Sequence, residues 1–374
     1  MKAVIATDSF KGTLKAYEAC EIIAKAISKT APDAQLVIKP MADGGEGTAG
    51  AMIQAANGRW VWQTVMGPLP DMQVEAGFAW FDDDKTALVE MSSASGLELL
   101  SAERMNPLNT TTYGTGQLIK AALEYGAVKI LLAVGGSATV DGGVGAAMAL
   151  GWKFLDNQDN PVPLGGAGLE KITKIVRPEN ISLVPVEVLC DVDNPLCGEH
   201  GAAKVYAPQK GATDQMVEQL EKGLAHLAKL VHKQLQRDID NVPGAGAAGG
   251  LAAGAIAFMN AAVVSGIETV MARSNLRAEL ESADWVITGE GSFDRQSLCG
   301  KVVSGILKMA SQSHTRLAVL AGQVNMPQQE YQKIGIAAAI SCRPDNMSLD
   351  YALENSRALL YSAAQRFAKQ YLSQ

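Results

Sequence analysis

The stretch Ile130-Leu-Leu-Ala-Val-Gly-Gly-Ser-Ala-Thr-Val-Asp-Gly-Gly143 joins an apolar run to a glycine-rich turn that carries a carboxylate. Two other stretches share this pattern, Met41-Ala-Asp-Gly-Gly-Glu-Gly-Thr48 and Thr288-Gly-Glu-Gly-Ser-Phe-Asp-Arg295. Each follows a run typical of a buried strand and precedes a plausible helix. Glycine allows positive φ and close approach, so that successive N–H groups can face an anion. Carboxylates can hold Mg²⁺ against a phosphate or accept a proton. Three such turns in one chain favour a phosphoryl-transfer site.

The order of predicted elements is that of an α/β protein. Strand-like runs alternate with helical patterns, which favours mostly parallel sheets. Between residues 60 and 91 three strands follow one another without helices, and the turns near Pro68 and Asp82 suit antiparallel connections. We therefore predict a discontinuous, doubly wound, mostly parallel sheet domain from residues 1–68 and 284–374, with a second α/β domain, residues 69–283, inserted in it. The active site is expected in the cleft between them.

The individual elements are predicted from their periodicity and from flanking turn residues. Strands are expected at 2–7, 35–39, 60–66, 73–80, 87–91, 129–134, 284–288, 316–321 and 335–341. Helices are expected at 16–28, 48–56, 114–124, 142–150, 301–310 and, as one long helix, 349–371.

The composition excludes several classes of protein. A net charge of −7 over 374 residues gives no support to binding of nucleic acid or of an anionic membrane surface. The uncharged stretch 242–267 is rich in alanine and glycine and is too weakly apolar for a membrane span. The five cysteines are scattered and odd in number, and the group Cys190, Cys197 and His200 matches no standard zinc pattern. We expect a cytoplasmic protein without nucleic-acid or membrane partners, and a homodimer is left open.

Acidic residues at the ends of predicted strands are the candidates for chemistry. Asp8 follows the first strand, where open α/β sheets bind ligands, and Lys11 could neutralise a transferring phosphate. Asp43 and Glu46 lie three residues apart in a glycine-rich turn, although Asp43 could instead cap a helix that starts near Gly45. Helix capping is an equal alternative for the Asp8 segment.

Two further turns offer groups for phosphate or metal. A backbone nest at Gly135 and Gly136, with the Ser137 and Thr139 hydroxyls, suits a polyphosphate, but it is neither a Walker A motif nor a Rossmann fingerprint. Around Gly289 and Gly291, the third turn adds Glu290 and Asp294, with Arg295 and Lys301 nearby. Asp191 and Asp193 could meet one ion only if the strand before them ends in a turn. Lys210 is predicted as a lone cation in a turn.

Taken together, these segments resemble the bacterial glycerate kinases of the two-domain, sugar-acid-pathway type. The resemblance covers nearly the whole chain in order. Its segments are Asp8-Ser-Phe-Lys-Gly-Thr-Leu14, Ala42-Asp-Gly-Gly-Glu-Gly-Thr48, Asn109-Thr-Thr-Thr-Tyr-Gly-Thr-Gly116, Gly135-Gly-Ser-Ala-Thr-Val-Asp-Gly-Gly143, Cys190-Asp-Val-Asp-Asn-Pro195, Gly244-Ala-Gly-Ala-Ala-Gly-Gly250 and Thr288-Gly-Glu-Gly-Ser-Phe-Asp294. The resemblance implies a discontinuous two-domain fold and ATP-dependent phosphorylation of D-glycerate to 2-phosphoglycerate, rather than the 3-phosphoglycerate of the unrelated plant-type kinases.

The residue roles are hypotheses built on this reaction. Lys11, Asp191 and Asp8 are the catalytic candidates, with Asp191 as proton acceptor, and Asp8 and Glu290 are the candidate ligands of Mg²⁺. D-glycerate is assigned to Asp43, Gly44, Gly45 and Arg295. ATP is assigned to Gly135, Gly136, Ser137, Thr139, Gly289 and Gly291. A glycerate 3-kinase, a non-catalytic sugar-acid sensor and a dinucleotide-dependent oxidoreductase are the rival functions, and the oxidoreductase lacks its glycine fingerprint.

Overall fold

The computed structural model describes residues 1–179, 184–298 and 301–373. Within these residues the chain forms strands β1–β13 and helices α1–α14. The strands are β1 (Lys2–Ile5), β2 (Gln35–Ile38), β3 (Arg59–Met66), β4 (Gln73–Phe81), β5 (Thr86–Glu90), β6 (Lys129–Ala133), β7 (Lys153–Leu155), β8 (Lys174–Val176), β9 (Val186–Leu189), β10 (Ala262–Val264), β11 (Trp285–Phe293), β12 (Arg316–Val324) and β13 (Ile336–Ser341). The helices are α1 (Ala16–Thr30), α2 (Thr48–Ala55), α3 (Ser92–Ser95), α4 (Tyr113–Tyr125), α5 (Val144–Ala149), α6 (Ala202–Tyr206), α7 (Asp214–Leu235), α8 (Ala247–Met259), α9 (Gly266–Arg273), α10 (Leu276–Glu281), α11 (Val302–Ser313), α12 (Gln328–Lys333), α13 (Leu349–Glu354) and α14 (Ser356–Tyr371).

The chain divides into two compact units. Unit 1 comprises residues Met1–Asp43, Gly50–Gly58 and the chain from Ile267 onward, and unit 2 comprises Gly44–Ala49 and Arg59–Gly266. The sequence predicts these borders at 68/69 and 283/284. The difference has a physical reason on each side. Strand β3 pairs along its whole length with β4 of unit 2, and α10 packs against α11 of unit 1.

Unit 1 is built on a five-stranded sheet in the order β13-β12-β11-β1-β2, in which every neighbouring pair is parallel. Because side chains alternate along a strand, Ile5, Trp285 and Ile287 share one face of the sheet, where α1 and α14 cover them. Val4 and Val286, also fully buried, point to the opposite face. Helix α11 packs against β11 and β12.

Unit 2 contains a six-stranded mixed sheet in the order β10-β9-β6-β5-β4-β3. The β3–β4 and β4–β5 pairs are antiparallel, as the sequence predicts, and the other neighbouring pairs are parallel. A small antiparallel pair, β7–β8, completes the unit. Its core includes Phe258 of α8, whose ring lies edge-on to both Trp152 and Phe154 at centroid distances of 5.1 Å. The α/β class with mostly parallel sheets is thus confirmed.

Two local predictions are wrong. The segment Gly289–Ser292 is not a turn that leads into a helix, because β11 continues through it to Phe293 and pairs with β12. The C-terminal helix is not continuous, since α13 ends at Glu354 and α14 begins at Ser356. Helix α2 begins at Thr48, so Asp43 does not occupy its N-cap position.

Among the described residues, no helix combines the length and apolar character that a membrane span needs.

The carboxylate of Asp141 is the buried polar centre of unit 2, with 1% of the residue exposed. It accepts hydrogen bonds from the backbone N–H groups of Thr112 (2.8 Å), Gly143 (3.1 Å) and Gly145 (3.3 Å). The hydroxyls of Thr111 (3.3 Å) and Thr112 (2.9 Å) donate to it as well. Burial raises the pKa of Asp141, and these hydrogen bonds oppose the shift. The side chain therefore ties the start of α4 to the start of α5.

We expect Asp141→Ala to destabilise the protein strongly, because it removes the acceptor and leaves five buried donors without one. The free energy of unfolding should fall by about 3 to 5 kcal/mol. Urea unfolding followed by circular dichroism measures the change. Asp71→Ala is the matched control, since Asp71 is exposed and pairs with Arg104 at the surface. Equal losses in the two variants would contradict the role of Asp141.

Candidate active site

The acidic residues of unit 1 gather around the end of β1. The Asp8 backbone N–H donates to the carbonyl of Gly289 (2.9 Å), which fixes this segment beside β11. Burial and the nearby charge of Asp43 raise the pKa of Asp8 to about 7, and Glu290 adds to the shift. The N–H of Ser9 and the charge of Lys11 oppose it. The structure therefore brings Asp8, Asp43, Glu290 and Lys11 together.

Glu290 lies inside β11 rather than in a loop. Burial raises its pKa, which the Ser297 hydroxyl and the charges of Lys301 and Lys11 counteract. Its Oε1 atom is buried and has no hydrogen-bond partner among the described residues. Such an oxygen fits a cation or a ligand donor that completes the site. No group of three or more His, Cys, Asp or Glu side chains in the described residues is placed to hold a metal, but Mg²⁺ often takes only one or two carboxylates.

The glycines of this third segment lie in extended backbone and do not form a nest. Neither Gly289 nor Gly291 has positive φ. A methyl group on Gly289 would lie 2.2 Å from the carbonyl oxygen of Leu320, so only glycine fits beside β12 there. A methyl group on Gly291 would lie 3.8 Å from the backbone nitrogen of Lys11. Gly291 thus lies next to the Lys11 segment, and a cradle of successive N–H groups is not formed here.

The first and second glycine-rich turns meet in unit 2. A methyl group on Gly135 would lie 2.4 Å from the Cα atom of Gly45, and one on Gly44 would lie 2.9 Å from the carbonyl oxygen of Leu189. The turns therefore approach each other at backbone distance, which requires glycine. Leu189 is the last residue of β9, and Asp191 follows it two residues later. The contact between Gly44 and Leu189 therefore brings the first turn close to the segment that carries Asp191.

Glu90, at the end of β5, holds the first turn in place. Its carboxylate accepts hydrogen bonds from the backbone N–H groups of Gly47 and, at 3.3 Å, Ala49. Burial raises the pKa of Glu90 to about 7, and the charge of Glu46 contributes to the shift. Sequence reasoning missed this residue. Glu90 could have been selected as a candidate because it is a carboxylate at the end of the apolar run Thr86–Glu90. Asp8 was selected because it holds the same position after its strand.

The second glycine-rich turn is hydrogen-bonded to a buried lysine. The Nζ atom of Lys210 donates to the Ser137 hydroxyl (2.6 Å) and to the Thr139 carbonyl (2.7 Å). The cation that the sequence predicts in the turn at Lys210 is buried, because only 1% of the residue is exposed. Gly136 has φ +69°, and Thr139 is buried with no hydrogen-bond partner for its Oγ1 among the described residues. Of Ser137 and Thr139, the two hydroxyl-bearing residues of this turn, Ser137 is the one that is partly exposed.

Asp191 lies just after β9 and lines a depression of about 620 Å³ in unit 2. Its Oδ1 accepts a hydrogen bond from the Ser265 hydroxyl (2.7 Å). The chain has left the strand at this point, as a shared role with Asp193 would require, and Asp193 lines the same depression. Val242 and Val263 supply part of its apolar wall.

Arg295 starts a short 3₁₀ helix in unit 1, Arg295–Leu298. Its guanidinium forms an ion pair with Glu330 (3.1 Å), and 82% of its side chain is exposed. An exposed guanidinium of this kind can exchange one carboxylate for another at small cost. The guanidinium that is predicted to hold the glycerate carboxylate therefore contacts a carboxylate of the chain itself.

Comparison with known proteins places this chain in a family. The family model described as "Glycerate kinase family" matches residues 3–372. The chain is similar to a protein of Halalkalibacterium halodurans named glycerate kinase, with 43% identity covering 98% of this chain and 97% of that protein. It is 42% identical to a protein of Escherichia coli K12 named glycerate 2-kinase, with coverage of 98% and 97%.

A solved structure agrees with these relatives. The crystal structure of the "putative glycerate kinase 2" of Salmonella typhimurium LT2 superposes with a TM-score of 0.86 and 39% identity. The match covers 100% of this chain and 98% of that one. The resemblance drawn from the sequence is confirmed, and this chain belongs to the glycerate kinase family of enzymes.

Proposed function

We propose that the protein phosphorylates D-glycerate with ATP at the 2-hydroxyl, giving 2-phosphoglycerate and ADP, in the cytoplasm. The observation that carries this proposal is the likeness over the whole chain to a protein named glycerate 2-kinase. The cluster of Asp8, Asp43 and Glu290 beside Lys11 supports it, because phosphoryl transfer depends mainly on positioning and on neutralising charge.

Mg²⁺ fits the acidic residues of unit 1. Asp8 and Glu290 would hold it, and the unpartnered Oε1 of Glu290 is the observation that favours this. When bound, such an ion neutralises charge on the β- and γ-phosphates of ATP. The charges of Asp43 and Glu290 raise the pKa of the buried Asp8, so its ionised form is costly without a cation nearby, which gives Lys11 and a metal the same electrostatic role.

The proposed chemistry uses few groups. Asp191 accepts the proton of the glycerate 2-hydroxyl while that oxygen bonds to the γ-phosphorus of ATP. The bond between the γ-phosphorus and the bridging oxygen breaks, and ADP leaves with that oxygen. Lys11 neutralises charge on the transferring group. The glycerate carboxylate is held by Arg295, with Asp43, Gly44 and Gly45 around the substrate hydroxyls.

The nucleotide is assigned to the second turn. Gly135, Gly136 and Ser137 offer backbone N–H groups and one accessible hydroxyl to the polyphosphate. Thr139 belongs to the same proposed subsite through its unpartnered hydroxyl. Gly289, close-packed against β12, and Gly291, next to the Lys11 segment, would contribute as extended backbone and not as a nest.

Phosphorus NMR of the protein with ATP, Mg²⁺ and D-glycerate tests the proposal directly. We expect a new phosphomonoester resonance coupled to the carbon-2 proton of the product. Coupling to the carbon-3 methylene would show the other regiochemistry. Unchanged ATP in the presence of folded protein would contradict a kinase and favour a sugar-acid sensor. A reaction without glycerate corrects for hydrolysis of ATP by water.

Asp191→Asn should lower kcat by roughly 10²-fold or more, because a general base contributes about 10²- to 10⁴-fold. The KM for D-glycerate should change much less, since the amide keeps the size of the side chain. Steady-state kinetics with coupled ADP detection measures both constants. Asp193→Asn is the matched control from the same depression and should remain close to the unchanged protein. Full turnover by Asp191→Asn would reject the assignment of the base.

Arg295→Ala should raise the KM for D-glycerate by roughly tenfold to a hundredfold, with little change in the KM for ATP. The reason is the loss of one charge-assisted contact, worth about 1.5 to 3 kcal/mol. Glu330→Gln is the control, because it removes the same surface ion pair but leaves the guanidinium in place. Equal effects of the two substitutions, or an unchanged glycerate affinity in Arg295→Ala, would contradict the clamp.

A further inference from the structure

Lys210 is a fully buried lysine that the proposed reaction has not used. It closes the short 3₁₀ helix Pro208–Lys210, and its backbone N–H donates to Ala207 (3.0 Å). The hydrogen-bonded partners of its Nζ atom are the hydroxyl of Ser137 and the carbonyl of Thr139, both uncharged. Its ammonium group therefore contacts the second glycine-rich turn from the buried side of that turn.

A buried ammonium group is costly unless other charges or dipoles compensate it. The charged group that acts on Lys210 is Asp141, which favours the protonated lysine. The Asp141 carboxylate, however, is occupied by donors from Thr112, Gly143 and Gly145. Burial outweighs its influence and lowers the pKa of Lys210 to about 7. The positive charge is thus only partly compensated by the protein itself.

A Lys210 that served only to tie down the turn would not need its charge, since neutral donors make the same two hydrogen bonds. The charge has a use if an anion binds on the outer side of the turn. Ser137, which is partly exposed, accepts from Lys210 at 2.6 Å and can in turn donate its hydroxyl proton outward.

We propose that Lys210 is a positioning residue for the polyphosphate of ATP: from beneath the turn Gly135–Thr139, its charge and its hydrogen bond to Ser137 favour anion binding. This inference rests on the proposed function, because it takes the nucleotide to be the ligand of this turn. Lys210 acts through Ser137 and the turn and does not touch the reacting atoms.

The proposal predicts that the affinity of the protein for ATP depends on pH. Lys210 is charged below its pKa, so anion binding is strongest at low pH and weakens as the pH rises through about 7. The KM for ATP should therefore increase across this interval by about tenfold, the effect of one partly screened charge at close range. The KM for D-glycerate should not follow the same profile.

Two substitutions separate charge from hydrogen bonding. Lys210→Gln removes the charge and retains an N–H donor for the turn, and Lys210→Met removes both. Lys204→Met is the matched control, because Lys204 lies on neighbouring α6, exposed and paired with Glu199. For each protein, KM values for ATP and D-glycerate are measured between pH 6 and 9, and binding of Mg·ATP without glycerate is measured by calorimetry.

We expect Lys210→Gln to fold, to raise the KM and Kd for ATP about tenfold at pH 6, and to lose the pH dependence of ATP binding. Lys204→Met should match the unchanged protein. A Lys210→Gln variant with unaltered ATP affinity and pH profile would overturn the proposal, even if Lys210→Met is too unstable to assay. Mg·ATP binding by the unchanged protein without turnover of glycerate would refute the proposed reaction alone, whereas absence of Mg·ATP binding would refute both.

Discussion

The architecture of unit 2 depends on one buried carboxylate. Asp141 accepts five hydrogen bonds from the starts of α4 and α5, so a single side chain joins the segments that lead into these two helices. An acceptor-only group suits this position because helix starts present backbone N–H groups without intrahelical partners. Lys210 supplies donors on the other part of the same turn, where carbonyl and hydroxyl oxygens need them. The turn that follows β6 is thereby fixed from both ends.

The arrangement of strands was predictable wherever burial alone decides the structure. Apolar runs such as those of β1, β6 and β12 are covered on both faces, and the antiparallel β3–β4–β5 segment lacks intervening helices. The extension of β11 was not predictable, because glycine and glutamate disfavour strands and only pairing with β12 enforces one. The break at Asn355 was likewise hidden, since helical periodicity continues across it.

The candidate site was predictable at the level of residue types and less so at the level of roles. Acids at strand ends identified Asp8 and Asp43, which the structure brings together with Lys11 and Glu290. The environment of Lys210 could not be read from its neighbours in sequence, because burial arises from the distant turn around Ser137. Glu90 was missed for a similar reason: its partners, Gly47 and Ala49, are about forty residues away along the chain, and no local pattern links them.

The candidate residues of unit 1 and those of unit 2 bury groups of opposite charge. In unit 1, burial and mutual repulsion disfavour the ionised form of Asp8, and a cation relieves this. In unit 2, burial disfavours the ionised form of Lys210, and an anion relieves that. The proposed Mg²⁺ would relieve the first cost and the proposed polyphosphate the second, so the charge buried in each unit is the one that one of the two proposed ligands complements.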